Sequence, residues 1–325
     1  MNISKMLFIP NCRMIKLSDI QAATNRISEH IHKTPVLTSK LINKYIGAEL
    51  FFKCENFQKT GSFKIRGAAN AVFSLNDEEL KAGVVTHSSG NFAQALALAA
   101  SWRNIPAYIV MPETATKVKV QAVQDYGGII QFCKPTQAAR ESSAAKIMKE
   151  TGAKFIHPYD NNNIIAGQGT AAIEFINEIP NLEVIMAPIG GGGLMGGTAI
   201  AARELKTDIK IIATEPENAN DAYKSFKHKK RFPANKPQTI ADGLLTSVGD
   251  LNYEIMMNYF DDILCCSEEN IKLAMKIIYE RMKIVIEPSS AVPLACIIQN
   301  KEHFRNKKTG IILSGGNIDL SNIIN

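Results

Sequence analysis

Along the chain, short runs rich in Val, Ile and aromatic residues alternate with longer stretches whose apolar positions recur every three or four residues. The first block reads as strand GVVTH (83–87), helix NFAQALALAASW (91–102), strand PAYIVM (106–111) and a helix near 115–125. Gly127-Gly128 breaks that helix before strand IIQF (129–132), and a helix near 136–151 follows. A second block holds helix 165–178, strand EVIMAP (183–188), a glycine run, helix 194–205 and strand IKIIATE (209–215). Strand DILCC (ending at 266), helices 267–281 and 289–299, and strand GIILS (310–314) complete it. Such alternation builds parallel sheets covered by helices. The pattern predicts two open α/β units sharing one interface, because no long linker, repeat or low-complexity tract separates them.

Ligands of open α/β sheets sit outside the carboxyl ends of the strands, so the turns directly after strands are where chemistry is expected. Three stand out: Ser88-Ser89-Gly90-Asn91, Gly190 to Gly193, and Ser314-Gly315-Gly316-Asn317. Four consecutive glycines between an apolar strand and an apolar helix let backbone N–H groups approach an anion at a helix N-terminus. A bare turn seldom needs four, given their conformational entropy. The run lacks the G-x-G-x-x-G spacing of a dinucleotide site and the G-K-[ST] of a nucleotide loop, so a phosphate monoester fits it better. THSSGNFAQ offers hydroxyls and an amide at a helix start, a carboxylate-binding set larger than an ordinary N-cap requires. KTGSFKIRGA (59–68) places Lys64 among Phe63, Ile65 and the small pair Gly67-Ala68, where its amine is half-buried rather than free in water. A phosphate cradle, a carboxylate turn and a desolvated lysine together suit pyridoxal phosphate and an amino acid.

Composition narrows the classes. With 46% hydrophobic and 21% charged residues the chain is that of a globular protein, and no apolar run is long enough to span a bilayer. Its net charge of +6 is dispersed except in KSFKHKKRFPANK (224–236), which reads as a solvated connector rather than a nucleic-acid arm. The six cysteines form no C-x-x-C pair and no metal spacing with histidine, which points to a reducing, cytoplasmic setting. The opening residues lack a full signal-peptide pattern and read as an N-terminal extension, with Met14 as an alternative start.

The motifs SFKIRGA, HSSGN, IAGQGT, GGGGL, IADGL, IEPSSA and LSGGN, in this order, closely resemble the serine/threonine dehydratase–serine racemase group of fold-type II pyridoxal phosphate enzymes. The resemblance runs from about Leu17 to Asp319 and matches the short form without a C-terminal regulatory segment. It implies an α/β fold of two open, twisted, mostly parallel sheets flanked by helices, tryptophan-synthase-β-like. Residues 1–75 and 159–325 would form a large cofactor-binding domain, and 76–158 a small domain closing over the substrate.

By position, Lys64 would hold pyridoxal 5'-phosphate as a Schiff base and act as base on Cα, with Phe63 packed on the ring. Asn91 would meet the ring hydroxyl, Gly190, Gly191, Gly192 and Gly193 the phosphate, and Ser314 the ring nitrogen. A neutral serine there leaves that nitrogen largely unprotonated and favours prompt loss of a β-substituent. Ser88, Ser89 and Asn91 would bind the substrate carboxylate, Ser89 would serve the opposite face of Cα, and Arg140 matches a position near substrate. Glu215, the Ala219 carbonyl and Asp221 match a divalent-cation site, whose hard oxygens suit Mg2+, or Ca2+ or Mn2+.

The implied reaction is α,β-elimination of L-threonine or L-serine to a 2-oxo acid and ammonia. The alternative is a serine racemase with side dehydratase activity, and a homodimer without nucleic-acid or membrane partners is expected. Phe92 stands where the racemases and many dehydratases carry histidine, and Tyr159 where vertebrate racemases carry asparagine. Phe92 removes a polar neighbour of the carboxylate site, which would reshape substrate choice, while Tyr159 and IADGLLTS, which lacks a lysine after its turn, tilt the reading toward dehydratase. A non-catalytic binding protein on this fold would have lost its Schiff-base lysine; Lys64 is present.

Overall fold

The computed structural model describes residues 14–115 and 117–319; the N-terminal extension inferred above and Cys12 lie outside that range. Among the described residues ten strands form two sheets. The larger contains β1 (Val36–Thr38), β2 (Glu49–Cys54), β7 (Val184–Pro188), β8 (Lys210–Pro216), β9 (Asp262–Cys266) and β10 (Lys308–Leu313), in the order β1-β2-β10-β7-β8-β9. Only the β1–β2 pair is antiparallel. The smaller sheet is wholly parallel, β5-β4-β3-β6, from β3 (Val84–His87), β4 (Ala107–Pro112), β5 (Ile129–Cys133) and β6 (Lys154–Phe155).

Both faces of each sheet are covered, which is why the central strands read as continuous apolar runs. Along β7, Ile185 and Ala187 enter the core on one face, with helices Leu17–Ile27, Asn162–Glu178 and Gly193–Leu205. Val184 and Met186 enter the core on the other, with helices Lys40–Ile46, Glu268–Met282 and Pro288–Gln299. In the small sheet Val84 and Val85 likewise divide between two cores. The element boundaries fall within three residues of those read from the pattern. The structure adds β1, β2, β6 and helix Lys64–Phe73, which the alternation does not announce.

Three helices are stacked through glycines. A Cβ on Gly167 would lie 2.6 Å from Gly67 Cα, and one on Gly197 would lie 2.3 Å from the Ile165 carbonyl and 2.6 Å from Gly169 N. Helix Asn162–Glu178 therefore touches the lysine helix through backbone on one side and the glycine-loop helix on the other. This explains the spaced glycines of IAGQGT and places Lys64 at a set distance from Gly190–Gly193. Among the described residues no helix is long and apolar enough to cross a membrane, and the five cysteines are free.

Candidate active site

Helix Lys64–Phe73 starts at Lys64 itself, with Phe63 before it in αR backbone and no side-chain cap. The half-buried amine lies 4.9 Å from the Phe63 ring centre and 3.4 Å from the Pro158 carbonyl. Burial pulls it down to about 8, against the nearby Glu287 carboxylate, which favours the charged form. Phe63 N–H donates to the Ser314 carbonyl at 3.0 Å and Ser62 bridges to Gly315, so the lysine segment and the LSGGN turn form one unit.

Asn91 begins helix Asn91–Ser101 after Gly90, and no side chain caps that end. Capping therefore does not account for the polar cluster there. Instead the Asn91 amide donates to both oxygens of Glu287, at 3.1 and 2.9 Å, and its carbonyl accepts from Asn317 at 2.9 Å. Glu287 is buried. Desolvation lifts its carboxyl to about 7; Asn91 opposes the rise, Asp242 adds to it, and the Asn317 N–H and Lys64 oppose it. Glu287 is the second residue of the motif IEPSSA, but sequence reasoning assigned it no role; an acid directly before the N1 proline of a helix is the signal that could have found it.

At the end of β7, the N–H groups of Gly190, Gly191 and Gly192 donate to no backbone carbonyl among the described residues. They gather at the N-terminus of helix Gly193–Leu205, where an anion is favoured. A Cβ on Gly191 would fall 2.2 Å from the Tyr159 ring, and Gly192 has φ 99°, so side chains are excluded at both. Tyr159 lies against this loop, its phenol pushed up to about 12 by burial and by Asp160. His157, beside it, accepts the Asp160 N–H at Nδ1 (2.9 Å), and burial, with His87 and Lys64, lowers it to about 3. It is therefore neutral, with its proton on Nε2.

Glu215, near the end of β8, and Asp221, which begins helix Asp221–His228, are both buried. Glu215 accepts the N–H groups of Ala222 (3.1 Å) and Tyr223 (2.7 Å), yet burial and the Asp221 charge raise its carboxyl well above the usual range. Asp221 rises to about 6 through burial, and its buried Oδ1 has no hydrogen-bond partner. Its Oδ2 accepts Val248 N–H at 3.2 Å, and the next N–H, of Gly249, donates to the Gly191 carbonyl at 3.1 Å. Two buried carboxylates with an orphaned oxygen fit a hard cation, and the Val248-Gly249 peptide ties them to the glycine loop. The described residues hold no cluster of three or more His, Cys, Asp or Glu side chains placed for a metal, so carbonyl and water oxygens would complete the shell.

Ser88 and Ser89 are half-buried at the end of β3, where Ser88 Oγ accepts Gly90 N–H at 3.4 Å. Arg140, half-buried on helix Gln137–Thr151, carries a buried Nε with no partner among the described residues; burial lowers the neighbouring His87, and the Arg140 charge adds to that fall. Lys119, on a helix of the small-sheet unit, reaches Asp242 of the IADGL turn at 3.2 Å.

A lysine at a helix start, between a glycine anion cradle and polar turns at the carboxyl ends of parallel strands, defines a cofactor-anchoring α/β enzyme class. The chain belongs to the pyridoxal-phosphate dependent enzyme family, whose pattern matches residues 27–315. It is 51% identical over 316 residues to the serine racemase of Dictyostelium discoideum, covering 95% of this chain and 97% of that protein. The crystal structure of that racemase superposes with a TM-score of 0.91, covering 94% of this chain and 99% of that one. The chain is also 48% identical over 305 residues to the beta-hydroxyaspartate dehydratase of Paracoccus denitrificans, covering 94% and 97%. The crystal structure of the T.th. threonine deaminase is more distant, at 37% identity and TM-score 0.90, covering 94% and 99%. The fold-type II assignment and the two-sheet architecture expected from the motifs stand.

Proposed function

We propose that this enzyme binds pyridoxal 5'-phosphate at Lys64 and interconverts L- and D-serine, with elimination to a 2-oxo acid and ammonia as a second outcome. The Lys64 amine carries the reading: desolvated to about 8, it has a substantial free-base fraction near neutrality and is close to a buried carboxylate. The unpartnered N–H groups of Gly190–Gly192 fit the phosphate, and the Asn91–Glu287–Asn317 set fits a polar ring edge. When bound, the cofactor supplies an aldehyde for amine exchange and an electron-withdrawing ring that acidifies the Cα proton.

Around that group, Phe63 would pack on the ring face and Ser314 would meet its nitrogen. Ser88, Ser89 and Asn91 hold the substrate carboxylate with hydroxyls and helix N–H groups. Lys64, as free amine, takes the proton from one face of Cα, and the Ser89 hydroxyl returns a proton to the other. Glu215, the Ala219 carbonyl and Asp221 hold a divalent cation, Mg2+ in the first instance. Residues 76–158 close over the substrate, with the Lys119–Asp242 contact spanning the cleft.

Dehydration of L-threonine or L-serine, ranked first on sequence, takes second place, because the racemase at 51% identity is nearer than the threonine deaminase at 37%. A dehydratase of β-hydroxyaspartate has its own support in the unpartnered Arg140 Nε, which a second substrate carboxylate would satisfy. Purified enzyme is given L-serine, D-serine, L-threonine and hydroxyaspartate with and without Mg2+. D-serine forming faster than pyruvate from L-serine supports the racemase reading; faster pyruvate overturns it. Lys64→Ala abolishes both products if the assignment is right.

A further inference from the structure

Helix Asp250–Tyr259 starts after Gly249, which has no side chain to cap it. The cap comes from far away in the chain. The Asp160 carboxylate accepts the Asp250 N–H at Oδ2 (3.0 Å) and the N–H groups of Leu251 (3.0 Å) and Asn252 (3.4 Å) at Oδ1. Those donors are the ones a helix start leaves open, and a negative charge suits that end of the helix dipole. The Asn252 amide closes the clamp by donating to the Tyr159 carbonyl at 3.0 Å. A Cβ on Gly249 would fall 2.3 Å from Asp160 Oδ1, so only glycine lets the carboxylate in this close.

Both halves of this clamp press on the glycine loop. On one side the Tyr159 ring lies against Gly191, and a Cβ on Gly193 would meet the Tyr159 carbonyl at 3.1 Å. On the other, Asn252 occupies the space a Cβ on Gly192 would need, 2.5 Å from its own Cβ, and the Gly249 N–H donates to the Gly191 carbonyl at 3.1 Å. In a planar trans peptide a carbonyl and the N–H that follows it point in opposite directions. Tying the Gly191 carbonyl to Gly249 therefore turns the Gly192 N–H away from helix Asp250–Tyr259. On that side no backbone carbonyl among the described residues accepts it.

We propose that Asp160 is a positioning residue for the cofactor phosphate, which aims the Gly192 N–H into the anion cradle through Gly249 and the Gly191 carbonyl. The proposal rests on the reading of Gly190–Gly193 as the phosphate site. Without the carboxylate, the N–H groups of Asp250, Leu251 and Asn252 lose their acceptor and the helix start frays. The Gly191 peptide, made of residues with no side chain to hold it, is then free to rotate.

The test titrates the full-length, cofactor-free protein with pyridoxal phosphate and, separately, with pyridoxal, reading the Schiff-base absorbance. Both aldehydes react with the same lysine, so the ratio of their dissociation constants isolates the phosphate. Wild type is expected to bind pyridoxal phosphate far more tightly than pyridoxal. Asp160→Ala is expected to weaken pyridoxal phosphate about tenfold, the scale of one lost helix cap, and to leave pyridoxal unchanged. Asp160→Asn, which keeps an acceptor oxygen, is expected to stay within about threefold of wild type. Asn252→Ala removes the tie to Tyr159, leaves Asp160 in place and is expected to lower the ratio in the same direction. It decides the matter if Asp160→Ala does not fold. A fall in both affinities by one factor marks a merely structural role and overturns the proposal, as does an unchanged ratio; in either case the wild-type preference keeps the phosphate-site reading standing. If wild type binds the two aldehydes alike, that reading fails and the proposal with it.

Discussion

Replacing Arg66 by methionine should be among the most damaging single changes in this protein, although Arg66 touches no reacting group. Arg66 is fully buried two residues after Lys64. Its guanidinium grips Glu55 with Nε–Oε2 at 2.7 Å and Nη2–Oε1 at 2.8 Å, and Glu174 with bonds of 2.7 and 2.9 Å. Lys53, also fully buried, holds Glu174 at 2.6 Å, and Thr34 donates to Glu55 at 2.6 Å. Two cations and two anions balance, and although burial works against its charge, the carboxylates raise Arg66 above its ordinary value. Without Arg66, Glu55 keeps only the Thr34 hydroxyl and the cluster carries a net negative charge in the core. Breaking one partner of a buried pair costs about 3–5 kcal/mol, a large share of the roughly 5–15 kcal/mol that holds a typical protein folded. Urea unfolding of the cofactor-free protein measures this without the stabilisation that bound ligand adds. The double variant Arg66→Met with Glu55→Leu should recover most of the loss, because an apolar pair removes both desolvation costs. A single variant within about 1 kcal/mol of wild type, or a double variant no better than the single, refutes the reasoning.

Three further outcomes are expected. The rate at which pyridoxal phosphate attaches to the cofactor-free protein should rise with pH through a midpoint near 8, since only the free Lys64 amine reacts; a midpoint near the ordinary 10.5 contradicts the desolvated site. Because Glu287 titrates near 7 in the folded chain against 4.5 ordinarily, the folded state binds its proton more tightly, and stability falls as pH rises across that window by roughly 3 kcal/mol. Glu287→Gln should remove that part of the slope, and an unchanged difference between urea midpoints at pH 4.5 and 8 would count against it. Mg2+ should raise the melting temperature of wild type, by the equivalent of about 2.7 kcal/mol at a hundredfold excess over its Kd. Asp221→Ala should lose the Mg2+ response without losing cation-free stability, because it relieves the repulsion with Glu215; an equal response in both proteins rules the site out.

Much of this architecture is legible from one dimension. Strands β4 and β7 are buried on both faces, so their apolar runs are unbroken and easy to read. Strand β2 is not, because Lys53 and Glu49 interrupt it; Lys53 is charged yet fully buried, satisfied by Glu174 from another helix. The three polar turns are recognisable because they follow strands, and Lys64 because its neighbours are too apolar for a surface lysine.

Local residue order determined the strand–helix rhythm, the turn chemistry and which lysine is proposed as the anchor, since backbone preference and periodicity act over a few neighbouring residues. Only the tertiary structure decided where protons and charges lie. Asn91 meets Glu287 across 196 residues, Lys53 meets Glu174 across 121, and Asp221 acts on Gly191 through Val248 and Gly249. Desolvation and hydrogen-bond direction depend on what surrounds a group in space. The lowered Lys64 and the raised Glu287 therefore come into being only when the chain has folded around them.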